Sequence, residues 1–191
     1  MMSKIDLNTL RDMAYKNACE HGFHDQELSN EHCLCLVISE LMEAVEADRG
    51  NRHSNRKEYD EIIREIPIGA SLYEYNKWFL TAFESHIKGS VEEELADAVI
   101  RLLDLCGLRK IELENDCLDD EVLEEYSSIF IDKTITESIF NITKSLIDRD
   151  IVYSFIKIFG LAKHLNIDLL WHIEQKMKYN ELREKMHGKK Y

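Results

Sequence analysis

The chain has 191 residues, with 37 Asp and Glu against 24 Lys and Arg and a formal net charge of −13. That balance argues against a protein that grips polymeric nucleic acid by releasing counterions from phosphates, but a small anion stays open because a bound metal or a few local cations can reverse the field. Seven glycines and one proline, beside abundant Leu, Ile, Glu, Lys and Ala, exclude a turn-rich β-sandwich or barrel and predict an all-α chain, folded as a single domain over 1–191.

In chain order, the N-terminal MMSKIDLNTLRDMAYKN lacks an apolar signal core, and no window approaches about 18 uninterrupted apolar residues. A cytoplasmic protein with no membrane partner is therefore expected. Helix one is predicted from about Asp6 to His21, stopped by Gly22, and the loop GFHDQELSN follows. Helix two spans about Glu31 to Arg49, with Leu34, Ile38, Leu41 and Val45 as its apolar stripe and Gly50 at its end. The polar stretch NRHSNRKEYDEIIREIPIG holds the only proline and reads as a mobile excursion with room for one short helix. Two capping boxes, Ser71-x-x-Glu74 and Ser90-x-x-Glu93, open helices running to about Ile87 and about Glu112. Short helices are expected near Glu121 to Tyr126 and Ile135 to Ile147, and Ile151 to His164 and Ile167 to His187 close the chain. Five cysteines, Cys19, Cys33, Cys35, Cys106 and Cys117, form neither a C-x-x-C pair nor a zinc spacing and read as reduced core thiols.

The helix opening at Ser90 has unusual proportions. At about 100° per residue, its apolar side chains from Leu95 to Cys106 cover roughly 220° of its circumference. Glu94, Asp97, Arg101 and Asp104 share the remaining strip. A surface helix has the reverse proportions, so this one should be packed on most sides, with its carboxylates at the edge of a core or inside it. Helix two carries a similar series in ISELMEAVEA, with Glu40, Glu43 and Glu46 at three-residue steps. Taken alone, this second series reads as a solvated face. Taken together, Glu40-x-x-Glu43 and Glu94-x-x-Asp97 each set two carboxylates on one helix face, and four acids converge if the helices lie side by side. Four ionised carboxylates that close repel one another and are pushed toward protonation unless a cation neutralises them. An oxygen-only ligand set suits Mg²⁺ or Mn²⁺ far better than zinc. Arg101 and Asp104 read either as a pair that orients the ligands or as a plain salt bridge.

Near the C-terminus, EQKMKYNELREKMHGKKY sets Lys176, Asn180, Arg183 and His187 at i, i+4, i+7 and i+11, close to one line on a helix. The helix dipole favours cations there in any case, but it does not account for Asn180. Lys and Arg for phosphate charge, with Asn as a two-way hydrogen-bonding group, would complement an acidic metal site.

These motifs, E-x-x-E on one helix, E-x-x-D within EELAD-A-x-I-x-x-LLDL on a later one, and K-M-x-Y-N-x-x-R-x-x-x-HGK-x-Y at the end, resemble the MazG-like nucleotide pyrophosphohydrolases of the all-α NTP pyrophosphatase superfamily. The likeness runs from GFHD to HGKKY and is poorest at about 50–75 and 112–150. It implies a helical bundle and Mg²⁺-dependent hydrolysis of a (deoxy)nucleoside triphosphate to the monophosphate and pyrophosphate, with Mn²⁺ as a substitute ion. It carries the catalytic metal ligands onto Glu40, Glu43, Glu94 and Asp97, and substrate contacts onto Lys176, Asn180 and Arg183. Phe23, His24 and Trp78 are candidates to stack on the base, although Trp78, in YEYNKWF, reads first as a core residue. A homo-oligomer, most simply a dimer, is implied as well. Three readings compete. A di-iron bundle needs two Glu-x-x-His motifs, and only Glu184-x-x-His187 is present. An HD-type phosphohydrolase would use His24-Asp25, and a non-catalytic helical module would leave the acids as solvated faces.

Overall fold

The computed structural model describes residues 6–188; Lys189, Lys190 and Tyr191, which close the resemblance, lie outside the described residues. All regular structure among them is helical: α1 (Leu7–Glu20), α2 (Asn30–Arg49), α3 (Arg56–Arg64), α4 (Leu72–His86), α5 (Val91–Arg109), α6 (Asp120–Ser128), α7 (Ile135–Ile147), α8 (Ile151–His164) and α9 (Leu169–Glu181), with single 3₁₀ turns at Asn115–Leu118 and Lys185–Gly188. None of these helices is long and apolar enough to cross a membrane. All five cysteines are free, and only Cys106 is a core thiol; Cys19 and Cys35 are exposed.

Helix α5 is the axis of the fold. It packs against α1, α2, α8 and α9, and its apolar positions from Val91 to Cys106 are almost wholly buried. The wide apolar arc read from its sequence has its cause here, since each quadrant of α5 meets a different helix. Alanines on the buried faces of α2 and α5 (Ala44, Ala47, Ala96, Ala98) are small enough to let helix axes approach closely. On the α1 side the approach is closer still. A Cβ on Gly107 would sit 2.4 Å from the Tyr15 Cβ, so glycine is needed at that crossing.

Around this axis sit two smaller groups. Helix α8 packs against both α6 and α7, and α7 and α8 reach back to α2 and α5 respectively. Helices α3 and α4 pair and lean on α9 through a second apolar cluster of Tyr59, Phe79, Ala82, Phe83, Ile87 and Tyr179. The polar stretch expected to be an excursion is therefore anchored. It carries α3, its Ser54 N–H donates to the Glu92 carboxylate at 2.9 Å, its Asn55 N–H donates to the His86 carbonyl, and its Arg52 carbonyl accepts from Val91 N–H.

The helix ends correct two expectations. Ser71 and Glu74 form the full box, but at Ser90 only half of one exists. The Glu93 carboxylate accepts from Gly89 N–H at 2.9 Å and from Lys176, not from the cap residue's own N–H. A second complete box, Thr134 with Glu137, starts α7. The last helix stops at Glu181 rather than near His187: the turn tightens through Leu182 N–H to Tyr179 and Arg183 N–H to Asn180, and Met186 N–H reaches the His21 carbonyl. The docking of this tail onto the end of α1 takes Arg183 off the helical line of Lys176 and Asn180.

Candidate functional site

Glu40 and Glu43 lie one turn apart on α2, and Glu94 lies in the first turn of α5. Because Val37, Leu41 and Ala44 bury α2 in the core shared with α5, the two acidic edges meet. One carboxylate oxygen from each of Glu40, Glu43 and Glu94 lies within 4.8 Å of the other two. Asp97, the fourth expected member, stands outside this triad. Its carboxylate is 2.7 Å from the Lys176 ammonium, and it lines an adjoining cleft. Glu46 is drawn outward to its own neighbour Arg49.

The electrostatics of the triad are those of a site short of positive charge. Glu94 is only 8 % exposed, and burial, followed by the charges of Glu93 and Asp97, pushes its carboxyl up to about 9. Glu40, at 2 % exposure, is pushed above the ordinary carboxylate range by burial and by Asp97, against the pull of Arg101. The Arg101 guanidinium pairs with Glu40 while Asp104 pairs with His24 at 2.7 Å, so the two residues of the strip each hold a different partner. Lys176 is 5 % exposed and lies between Glu93 and Asp97. Burial alone would lower its pKa, but the two carboxylates outweigh burial and hold it above its ordinary value. A hard divalent cation fits what remains: three convergent carboxylates, two of them buried, with no His or Cys among them.

Beside the acids a cleft of about 820 Å³, counting the space at its open mouth, is walled by Asn17 of α1, Phe23 and His24 of the following loop, Asp97, Arg101 and Asp104 of α5, Asn180 of α9 and Arg183. Three of its polar atoms, Asn17 Nδ2, His24 Nδ1 and Asn180 Oδ1, are buried with no hydrogen-bond partner, although buried polar groups nearly always have one. His24 is held by Asp104 through Nε2 and lies against the Tyr15 ring. His21 ring nitrogens lie 2.8 Å from the Asn17 carbonyl and 3.1 Å from that of Arg183, fixing both ends of this wall.

Of the expected substrate contacts, Asn180 and Arg183 line the cleft and Lys176 does not. Phe23 and His24 line it; Trp78 is on α4, part exposed, and away from it. His24 and Asp25 face different partners, Asp104 and Lys185, so the dipeptide does not act as one ligand pair. Sequence reasoning missed Asn17, which carries no signal in LRDMAYKNACE, and it took Glu93 for a cap alone. The acid run Glu92-Glu93-Glu94, three consecutive buried glutamates, was the available sign that the first turn of α5 is a charge centre. No family model, curated protein or solved structure matches this chain.

Proposed function

We propose that this protein is a Mg²⁺-dependent nucleoside triphosphate pyrophosphohydrolase of the MazG-like kind, with Mn²⁺ as a substitute ion. The observation that carries the reading is the Glu40, Glu43 and Glu94 triad opening beside a cleft whose wall holds three polar atoms in want of partners. Glu40, Glu43 and Glu94 would hold the metal. When bound, Mg²⁺ offsets the carboxylate charge, lowers the pKa of a coordinated water and accepts phosphate oxygens.

The chain's own residues divide the remaining work. Arg101 holds the Glu40 carboxylate toward the triad, a positioning role. Lys176, braced by Glu93, holds Asp97 at the cleft wall, so its part is positioning rather than phosphate binding. Arg183 supplies a guanidinium for phosphate oxygens, and Asn180 supplies an unsatisfied carbonyl oxygen. Phe23 and the His24 ring give the cleft an aromatic wall of the kind a base needs, and Asn17 and His24 give it edge-on hydrogen bonds. Cleavage between the α- and β-phosphates, giving monophosphate and pyrophosphate, would suit a cleft that carries an aromatic wall and borders the acids through Asp97 and Arg101.

A second reading draws on the Asp97–Lys176 and Glu40–Arg101 pairs: a non-catalytic helical module whose acids only join helices. One assay separates the two. The purified chain with Mg²⁺ and a panel of common and damaged nucleoside triphosphates is expected to release pyrophosphate, not orthophosphate. Glu43→Ala and Glu94→Ala should each lower kcat by at least about 10²-fold, the scale of lost transition-state electrostatics, with helical content unchanged. Activity at wild-type level in both variants would refute the assignment.

A further inference from the structure

A second cleft lies between α7 and α8, outside the acidic site and in the part of the chain least like the MazG pattern. It spans about 570 Å³ by the same measure and is walled by Asn141, Lys144, Ser145, Asp148, Asp150, Tyr153 and Lys157. Lys157 is 7 % exposed. Its ammonium donates to Ser145 Oγ at 2.9 Å and more weakly to the Asn141 carbonyl at 3.4 Å, and lies over the Tyr153 ring at 4.5 Å. No carboxylate of the described residues comes within 4.0 Å of it or of the Lys144 ammonium, whereas every other buried lysine or arginine of the core has such a partner. A lysine this buried is rare without an anion, and burial, reinforced by the Lys144 charge, lowers its pKa. Asn141, which lines the same cleft, has a buried Oδ1 that accepts nothing. Of the two acids at the rim, Asp150 is engaged in capping α8 through Tyr153 N–H, which leaves Asp148 as a further acceptor.

The geometry points to a binding site for a small oxyanion that carries a neighbouring hydroxyl or amino group: the oxyanion between Lys157 and Lys144, the donor on Asn141 Oδ1 and Asp148. Hydroxy acids and hydroxylated phosphate esters share this chemistry. The site is independent of the acidic triad, and its test reads binding rather than turnover.

The full chain is titrated, with amide resonances followed by NMR, with glycerol 3-phosphate, glycerate and propyl phosphate, the last lacking the donor. Saturable shifts confined to about 141–157 are expected, with glycerol 3-phosphate or glycerate bound several-fold tighter than propyl phosphate, the effect of one neutral hydrogen bond. Which of the two binds tighter decides between phosphate and carboxylate as the oxyanion. Lys157→Met should weaken binding about tenfold or more, as for loss of a charged hydrogen bond. Lys144→Ala, an exposed change, should weaken it several-fold and decides the matter if Lys157→Met does not fold. No saturable shift in 141–157 with any probe, equal binding of propyl phosphate, or binding indifferent to both lysine variants would overturn the proposal.

Discussion

Glu94 has no hydrogen-bond donor among the described residues and faces Glu40 and Glu43 across less than 4.8 Å. Its neighbours show what a satisfied buried glutamate requires here: Glu92 takes Ser54 N–H and His53, and Glu93 takes Gly89 N–H and Lys176. Since the folded pKa of Glu94 stands near 9, against 4.5 for the free group, its proton is held more tightly in the folded state. Its favourable contribution is then complete below about pH 4.5 and is lost as pH rises through about 9. Glu94→Gln, which cannot ionise, should therefore melt close to wild type at pH 5 and progressively above it toward pH 9 in the absence of metal. Millimolar Mg²⁺ should raise the wild-type melting temperature at pH 9 and leave Glu94→Gln little changed. A melting difference independent of pH would contradict this charge balance. At this scale the sequence was legible for Glu40, Glu43 and Glu94, because a three-residue step fixes which side chains share a face. It was not legible for Asp97 and Lys176, because their mutual capture depends on where α9 lands against α5, which no local pattern encodes.

Between helices, the outcome turns on close approach. The apolar arc of α5 announced a helix packed on most sides, and the starts at Ser71 and Ser90 followed from their capping residues, whereas the Ser29 cap of α2 went unread. The end of α9 was hidden, since the pattern KMKYNELREKMHG is helical by propensity throughout, and what stops it is a tertiary contact, Met186 N–H to the carbonyl of His21. Gly107 gives a sharp test of the α1–α5 crossing. Mid-helix, Gly→Ala should stabilise by about 1 kcal/mol from propensity. Here the new Cβ would meet the Tyr15 Cβ at 2.4 Å and Cγ at 2.8 Å, and overpacking costs about 1–3 kcal/mol. The clash should win, so Gly107→Ala is expected to lower stability by up to about 2 kcal/mol in urea unfolding. A gain in stability would show that α1 and α5 sit further apart than described.

Over the whole molecule, an all-α chain with a central buried helix was legible from composition and one hydropathy pattern, but the clefts were not: the first is built from segments remote in sequence, and the second depends on how two successive helices pack face to face. The homo-oligomer remains a proposal, and exposed apolar side chains are the natural place to test it. Ile68, in the turn before α4, and Leu72 and Tyr73, in its first turn, are fully or largely exposed, and Trp78 is partly so. A contiguous exposed apolar patch would mark an association surface. Wild-type protein should sediment at twice the chain mass or more, and a Leu72→Glu/Tyr73→Glu double variant as a monomer with unchanged helix content. A monomeric wild type would remove the oligomer from the account. The account as a whole rests on three glutamates from two helices acting as one cation site, and calorimetric titration of the metal-free chain with Mn²⁺ tests this most directly. Saturable binding at pH 8, accompanied by proton release and abolished by either Glu43→Gln on α2 or Glu94→Gln on α5, is the predicted result; binding that survives both substitutions, or none in the wild type, would contradict it.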